Sequence, residues 1–249
     1  MKRALFLTVL GVLAAALALL PATRGDDAGN RDPHDLSLFQ FVRLQYNGYM
    51  LGGWTGGGFV PPWRHDYPQA EQNFLNILGE LTSIETTPKS FKVLRMHDPE
   101  IMNYPFVYVS EPGFWDATES EVENVRKYLD RGGFILFDDF RGTSELRVLF
   151  DNMRRIYPDR AFRELTLADP VFSCFYNIES LDLPAPYRVP GRPTFYGMHD
   201  DEGRLQAVAA WNNDIGDYWE WSHESFTPIQ YSNEAYKFGV NFVMYALTH

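Results

Sequence analysis

Residues 132–142 read GGFILFDDFRG, and this stretch decides the fold. Two glycines precede the apolar run 134–137, which has the length and composition of a strand buried on both faces of a sheet. The run ends in two adjacent carboxylates, Asp138 and Asp139, with Arg141 close behind. Ligands of open α/β sheets bind beyond the carboxyl ends of the strands. The stretch therefore predicts a parallel sheet and places the rim of a site at its carboxyl edge.

The segments on either side of this strand complete a βαβ unit. Residues 117–133 predict an amphipathic helix with a capping box formed by Thr118 and Glu121, and the buried strand 105–110 precedes it. Such a unit is right-handed with parallel strands. The chain shows no repeats and no second domain, so we predict one doubly wound α/β domain, with a mainly parallel sheet flanked by helices. The other predicted strands cover 39–46, 92–96, 162–167 and 205–212; the other predicted helices cover 68–81, 142–158 and 234–249, and residues 168–193 are predicted to be irregular.

The first 25 residues have the order of a secretory signal peptide. MKR is basic, residues 4–20 are uncharged and apolar, and residues 21–25 include small side chains suited to cleavage. An uncleaved membrane anchor is the alternative, because a run of this length is near the lower limit for crossing a bilayer. We predict an exported protein, periplasmic or extracellular, with a signal peptide at 1–25, a flexible leader at 26–37 and a folded domain at 38–249.

Charge and cysteine content narrow the classes of function. The formal net charge is −11, and no stripe of lysine and arginine occurs. An acidic protein repels nucleic-acid phosphates and anionic lipid head groups, so we expect no nucleic-acid partner and no membrane binding after signal cleavage. The single cysteine, Cys174, cannot form an intramolecular disulfide, and its aromatic neighbours predict a buried, unreactive thiol.

Two interpretations of Asp138 and Asp139 are open. The pair could bind Mg²⁺ or Ca²⁺, position a substrate, or perform acid–base chemistry if proximity raises one pKa. Alternatively, one aspartate caps the following helix and the other pairs with Arg141. Adjacent residues of a strand point to opposite faces, so capping and pairing rank ahead of metal binding. We predict no metal and no other cofactor.

A second polar run, NNDIGDYWE at 212–220, is dense in acids, amides and aromatic rings. It lacks the loop length and the terminal glutamate of an EF-hand, so its metal signal is weak. Aromatic rings beside carboxylates suit carbohydrate binding, whereas a turn with a packed tryptophan is the alternative. The candidate ligand-binding residues here are Asn212, Asp214, Asp217, Trp219 and Glu220.

The loop GGWTGGGFVPPWRHDY at 52–67 contains five glycines and three aromatic anchors before its end. It is not a P-loop, because the Lys-Ser/Thr ending is missing. We predict an aromatic flap, with a cover over the sheet edge as the alternative. Arg64, His65 and Asp66 would then lie at the mouth of the sheet as further ligand-binding candidates. No two of the six histidines are spaced as H-x-x-x-H or H-x-H in the sequence, so no local zinc-binding motif is present.

Several motifs together identify a family resemblance. They are DYP (66–68) with Asn73 and Phe74, YPFVYV (104–109), GGFILFDD (132–139), DPVF (169–172), NDIGDYWE (213–220) and GVNFVMYAL (239–247). Across roughly residues 38–248, the chain resembles the bacterial proteins that carry the uncharacterised domain DUF4159. The resemblance implies a flavodoxin-like fold similar to that of class I glutamine amidotransferases. It implies no activity.

The same resemblance argues against amidotransferase chemistry. Those enzymes carry a nucleophilic cysteine in a glycine-rich elbow after a buried strand, where this chain has Asp138, Asp139 and Arg141. Cys174 lies elsewhere without an elbow, so no amidotransferase triad is available. We therefore expect a non-catalytic module that binds a small molecule, a carbohydrate or a partner protein at the carboxyl edge. The alternative is a hydrolase of carbohydrate or peptide-like material, which would use Asp138, Asp139, Asp214 and Glu220.

Overall fold

A computed structural model describes residues 32, 35, 37–48, 61–224 and 227–249 of the chain. The predicted signal peptide, most of the leader and the glycine-rich part of the predicted flap lie outside these residues. Among the described helices, none combines the length and apolar character needed to cross a bilayer.

Seven strands form a single sheet in the order β2-β1-β3-β4-β7-β6-β5. The first five strands of this order are parallel, and β6 runs antiparallel to both β7 and β5. The order reverses between β1 and β3, as in a doubly wound flavodoxin-like sheet, which confirms the predicted fold class. The strands are β1 Phe41–Gln45, β2 Phe91–Arg95, β3 Phe106–Ser110, β4 Phe134–Phe140, β5 Arg163–Glu164, β6 Thr194–His199 and β7 Leu205–Trp211.

Helices cover both faces of this sheet. One core layer packs α1, α4 and α5 on the sheet, and the other packs α2 and α3 on the opposite face. Strands β3 and β4 are buried along their whole lengths, as expected of strands in the middle of a parallel sheet. The helices are α1 Gln69–Leu81, α2 Glu119–Asp130, α3 Gly142–Ile156, α4 Ile215–Glu220 and α5 Ile229–Thr248.

The local signals around α2 are confirmed. Thr118 and Glu121 form both hydrogen bonds of the predicted capping box. Gly132 follows the helix with a φ of 95°, a conformation that glycine adopts without steric cost, and β4 then begins. Local sequence therefore determines where α2 ends and β4 begins, and with it the position of the carboxyl end of β4.

Three elements differ clearly from the sequence prediction. Residues 194–199, which carried no strand prediction, form β6 as one arm of an antiparallel hairpin with β7. Residues 215–220 form a short helix rather than a turn. The last helix begins at Ile229 rather than at residue 234. Pro228 is its N-cap residue, a position where the missing N–H of proline removes no intrahelical hydrogen bond.

Candidate functional site

The carboxyl end of β4 departs from a regular strand. Its register with β7 shifts between Phe137 and Phe140, and Asp139 has a φ of 54°. Phe137 and Phe140 consequently pack in the same core layer, although strict alternation would separate them. The side chains of the two aspartates between them are both connected to the start of α4. The Asp138 carboxylate accepts from backbone N–H groups of α4, and Asp139 shares the Tyr187 hydroxyl with Asp214. Among the described residues, Asp139 belongs to groups whose atoms could hold one metal ion, and Asp138 belongs to none of them.

Asp138 supports the start of α4. Its carboxylate accepts hydrogen bonds from the backbone N–H groups of Ile215 at 3.2 Å and Gly216 at 2.8 Å, and from the Tyr108 hydroxyl at 2.9 Å. Burial raises the pKa of Asp138 to about 7, although these donors oppose the shift. Asp138 is fully buried, and both of its carboxylate oxygens accept hydrogen bonds. It caps a helix, but the helix is α4.

The predicted cap on α3 is supplied by other residues. The backbone N–H of Arg141 donates to the Glu145 carboxylate at 2.6 Å, and the N–H of Gly142 donates to Oδ1 of Asn212 at 3.0 Å. The expectation that Asp138 or Asp139 caps the following helix is therefore wrong. Asn212 is a connector between β7 and α3, and its amide also donates to backbone oxygens of Pro190 and Arg192.

His65 lies at the centre of the carboxyl edge. Its Nδ1 is 2.8 Å from Oδ1 of Asp66 and 2.9 Å from Oδ2 of Asp139. Both carboxylates are fully buried, whereas 43% of the His65 side chain is exposed. A buried acidic site thus reaches solvent through one imidazole.

Three further carboxyl groups surround this contact. Potential ligand atoms of His65, Glu111 and Asp139 lie within 4.8 Å of one another, as do those of His65, Asp66 and Asp217. The same holds for Asp66, Asp139 and Asp214. We name this set the carboxylate cluster: Asp66, Glu111, Asp139, Asp214 and Asp217, arranged around His65.

The cluster contains more acids than nearby cations. Besides His65, Arg141 places its Nη2 3.8 Å from Oε1 of Glu111, and the charge of buried Arg43, already paired with Glu71, also acts on Asp66. Burial raises the pKa of Glu111 to about 9, and the charge of Asp139 adds to the shift. Burial and the same neighbour raise the pKa values of Asp214 and Asp217.

The effect on His65 has the opposite sign. Burial lowers its pKa, but the carboxylates of Asp139 and Asp66 outweigh burial and raise it to about 12. In turn, His65 overcomes the effect of burial on Asp139 and lowers the pKa of that carboxyl. Burial raises the pKa of Asp66 despite the same partner. The field of the cluster therefore strongly favours positive charge beside Nδ1.

Backbone strain is concentrated at this edge. Among the described residues other than glycine, positive φ occurs at Asp66 (63°), Glu111 (50°), Asp139 (54°) and Asn212 (58°). Each of them lies at or beyond the carboxyl end of a parallel strand. Such conformations cost of order 1–3 kcal/mol each and often occur at functional sites.

Gly216 allows a close approach within the site. A Cβ at this position would lie 2.6 Å from Oδ2 of Asp66 and 2.6 Å from the Tyr108 hydroxyl. Only a residue without a side chain leaves room for the buried carboxylate beside the first turn of α4.

Tyr187 connects the irregular segment 168–193 to the cluster. Its hydroxyl oxygen lies 2.9 Å from Oδ1 of Asp139 and 2.9 Å from Oδ2 of Asp214. The guanidinium of Arg141 packs on its ring at 4.7 Å. One hydroxyl carries one proton, so it can donate to one of the two carboxylates. Asp214 also caps α4 by accepting from the backbone N–H of Asp217 at 2.9 Å.

Arg43 positions the segment that carries His65. It is fully buried on β1 and forms an ion pair with Glu71 of α1. Its Nη1 donates to the backbone oxygens of Trp63 at 3.1 Å and His65 at 2.7 Å. The sheet thereby fixes the backbone of His65 beneath the cluster.

The remaining candidates lie apart from the cluster or at its margin. Trp219 is fully buried among Phe41, Phe74 and Tyr108, so its predicted role in binding is wrong. Arg64 is exposed at the end of a helical turn, and Glu220 is half-buried at the end of α4.

Cys174 is half-buried against α5, with its Sγ 3.3 Å from the backbone oxygen of Asn241. Burial raises the pKa of this thiol, which disfavours the reactive thiolate. The cysteine does not belong to the carboxylate cluster.

Sequence reasoning missed Glu111, Tyr187 and Arg43. Glu111 directly follows the buried strand β3, so the rule that identified Asp138 and Asp139 could have identified it as well. An arginine in an otherwise apolar strand could have indicated a buried ion pair. Tyr187 has no local signal in its irregular, proline-rich segment.

Comparison with known proteins identifies the family of the chain. The profile of the family described as "Domain of unknown function (DUF4159)" matches residues 40–247, which include the whole sheet and the carboxylate cluster. A search of curated proteins found no match. The match covers most of the chain, and the chain therefore belongs to the DUF4159 family.

Proposed function

We propose that this chain is an exported, non-catalytic binding domain whose ligand site is the carboxylate cluster at the carboxyl edge of the sheet. The observation that carries the proposal is the excess of buried carboxyl groups around one imidazole that reaches solvent. Buried carboxylates are costly unless they are paired. A ligand bound here would therefore bring positive charge.

The location and the surroundings of the cluster support this proposal. Its residues come from the ends of β3, β4 and β7, from the first turn of α4 and from the segment before α1. They lie at the edge at which doubly wound sheets bind ligands. A neutral carbohydrate has less support, because Trp219 is packed in the core and offers no face for stacking. A small cationic molecule or a cationic group of a partner protein fits the charge.

Thermal melts with probes of different charge test this function. We expect divalent metal ions or organic amines such as spermidine to raise the melting temperature, and chitotriose, a neutral oligosaccharide, to leave it unchanged. Asp139→Asn should remove the effect, because Asp139 pairs with His65. Asp169→Asn is the matched control, since Asp169 is buried but already paired with Arg163. Equal shifts in both variants would contradict the proposal.

A hydrolase is the second candidate, favoured by one observation. The pKa of Asp138 is raised and that of Asp139 is lowered, which is the pattern of an acid and a base. Against it, Asp138 is fully buried and hydrogen-bonded by α4 and Tyr108, so a substrate cannot reach its proton. Turnover of p-nitrophenyl glycosides or a fluorogenic peptide that is lost in Asp139→Asn would favour the hydrolase.

Export is part of the proposal and rests on residues 1–25. Expressed with its own leader in a bacterium, the protein should be recovered outside the cytoplasm with a sequence beginning near Thr23 or Asp26. An intact mass that still includes Met1 would favour the uncleaved anchor.

A further inference from the structure

The donor atoms around His65 are arranged as metal ligands rather than as a hydrogen-bonded pair. Nδ1 lies 2.8 Å from an oxygen of Asp66 and 2.9 Å from one of Asp139. Neither Nδ1 nor these two oxygens has a hydrogen bond of acceptable geometry within the described residues. Two ligand atoms at right angles around a metal, each about 2.1 Å from it, lie about 3.0 Å apart. The observed distances are close to this spacing.

Asp66 provides a second, separate observation. Its side chain is fully buried, and neither of its oxygens has a hydrogen-bond partner among the described residues. One oxygen faces His65, and the other lies in the space that the missing side chain of Gly216 leaves open. Buried carboxylates almost always have partners, so an unpartnered one that faces other ligand atoms indicates an absent cation.

Protonation of some carboxyl groups would also reduce the negative charge of the cluster. A protonated carboxyl group is a hydrogen-bond donor, and Asp217 is close enough to Asp66 to share a proton with it. One proton satisfies one oxygen of Asp66, whereas a cation requires only that the oxygens converge on it. Protons and a metal ion therefore compete for the same groups, and titration with Mn²⁺ distinguishes them.

The ligand atoms also select the class of metal. Mg²⁺ and Ca²⁺ prefer oxygen ligands alone, whereas one imidazole with several carboxylates suits Mn²⁺, Fe²⁺ or Zn²⁺. The thiol of Cys174 contacts the backbone of α5 and is not a ligand. The right-angle spacing fits octahedral coordination better than tetrahedral coordination.

We infer that the carboxylate cluster binds a divalent first-row transition metal ion, for which Mn²⁺ is the appropriate probe. Nδ1 of His65 and carboxylate oxygens of Asp66 and Asp217, whose ligand atoms lie within 4.8 Å of one another, bind the metal, and Asp139 lies beside the same nitrogen. This inference rests on the proposed function, because the metal ion would itself be the positively charged ligand of the carboxylate cluster.

The test is a titration of the purified, chelator-stripped full chain with Mn²⁺, followed by the loss of the free-ion electron paramagnetic resonance signal. We expect one equivalent to bind, and His65→Ala to weaken binding at least about tenfold. The exposed side chain of His65 makes this variant the one least expected to disturb folding. Asp66→Asn should weaken binding similarly. Asp169→Asn, in which a buried carboxylate paired with Arg163 is changed, should bind as the wild type does.

A second measurement keeps the inference falsifiable if the variants fold poorly. Electron spin echo spectroscopy of Mn²⁺ bound to the wild-type chain should show coupling to one imidazole nitrogen. Absence of that coupling, absence of binding of both Mn²⁺ and Zn²⁺, or unchanged affinity in His65→Ala would overturn the metal site. Stabilisation by spermidine that is lost in Asp139→Asn, without metal binding, would overturn this inference and leave the proposed function intact. If neither metal ions nor spermidine bind, both the metal site and the proposed function are rejected.

Discussion

Two groups of buried charges lie close together in this molecule, and they differ in balance. Arg43 and Glu71 join β1 to α1 as one cation and one anion, both fully buried. The carboxylate cluster places five carboxyl groups near His65 and Arg141. The two groups are physically connected, since Arg43 also donates to the backbone oxygen of His65. The charges of the balanced pair neutralise each other, although Nη2 of Arg43 and Oε2 of Glu71 have no hydrogen bond within the described residues. The cluster has an excess of carboxyl groups instead, and the proposed ligand site rests on that excess.

The largest effect predicted from this comparison is for Glu71→Ala. Removing one member of a buried ion pair leaves the other charge without compensation, which costs about 3–5 kcal/mol. Arg43 would retain its two backbone acceptors but lose its counter-ion. Urea denaturation followed by circular dichroism should show a loss of this size.

The double variant Arg43→Met/Glu71→Leu is the control. Replacement of a whole buried pair by apolar side chains of similar volume is often nearly neutral, so much of the lost stability should return. A loss below about 1 kcal/mol in Glu71→Ala would show that the pair is not needed for folding, and the contrast with the cluster would fail.

A smaller effect separates the two adjacent aspartates. Asp138→Ala leaves two N–H groups of α4 and the Tyr108 hydroxyl without their acceptor, which should cost about 1–3 kcal/mol. Asp139→Ala should cost less, because it also removes one charge from an overcrowded site. Thermal melts of the two variants in the presence of a chelator measure the difference. Equal losses would indicate that both aspartates serve the fold alone.

The sequence is sufficient to predict the parallel half of the fold and the edge of the sheet at which the acids after β4 lie. Strands such as 134–137 are continuous apolar runs, and α2 carries its own capping signals, so local pattern and final structure agree. The acids after β4 could be placed at the carboxyl edge by the rule for parallel sheets. The antiparallel strand β6 was missed because its sequence follows an irregular, proline-rich segment and lacks a clear alternation.

The arrangement of the site could not be predicted, because it depends on departures from local rules. The register shift at Asp139 removes the alternation that separates neighbouring side chains. His65 and Asp139 are far apart in the sequence, and they come into contact because of the strand order of the sheet. Tyr187 contacts Asp139 from an irregular segment that carries no local signal. Trp219 was assigned to binding because an aromatic ring beside acids has the same sequence signal whether it faces solvent or the core.

The smallest effect is expected for Asp66→Asn, although this side chain is as buried as Glu71. Asparagine keeps the shape of aspartate and removes its charge, which relieves repulsion from Asp139 and Asp214 at the expense of the contact with His65. In the presence of a chelator, the free energy of unfolding should therefore remain within about 1 kcal/mol of the wild-type value or rise, whereas Glu71→Gln, the same chemical change in the balanced pair, should lower it.

With Mn²⁺ at 100 times its dissociation constant, the wild-type chain should gain about 2.7 kcal/mol, and Asp66→Asn should lose most of this gain. Urea titrations of both variants, with and without Mn²⁺, distinguish the two kinds of buried charge. A loss of about 3 kcal/mol in Asp66→Asn without metal would mean that Asp66 and His65 form a balanced pair like Arg43 and Glu71. In that case the carboxylate cluster would be an element of the fold, and its excess of acids would no longer indicate a ligand.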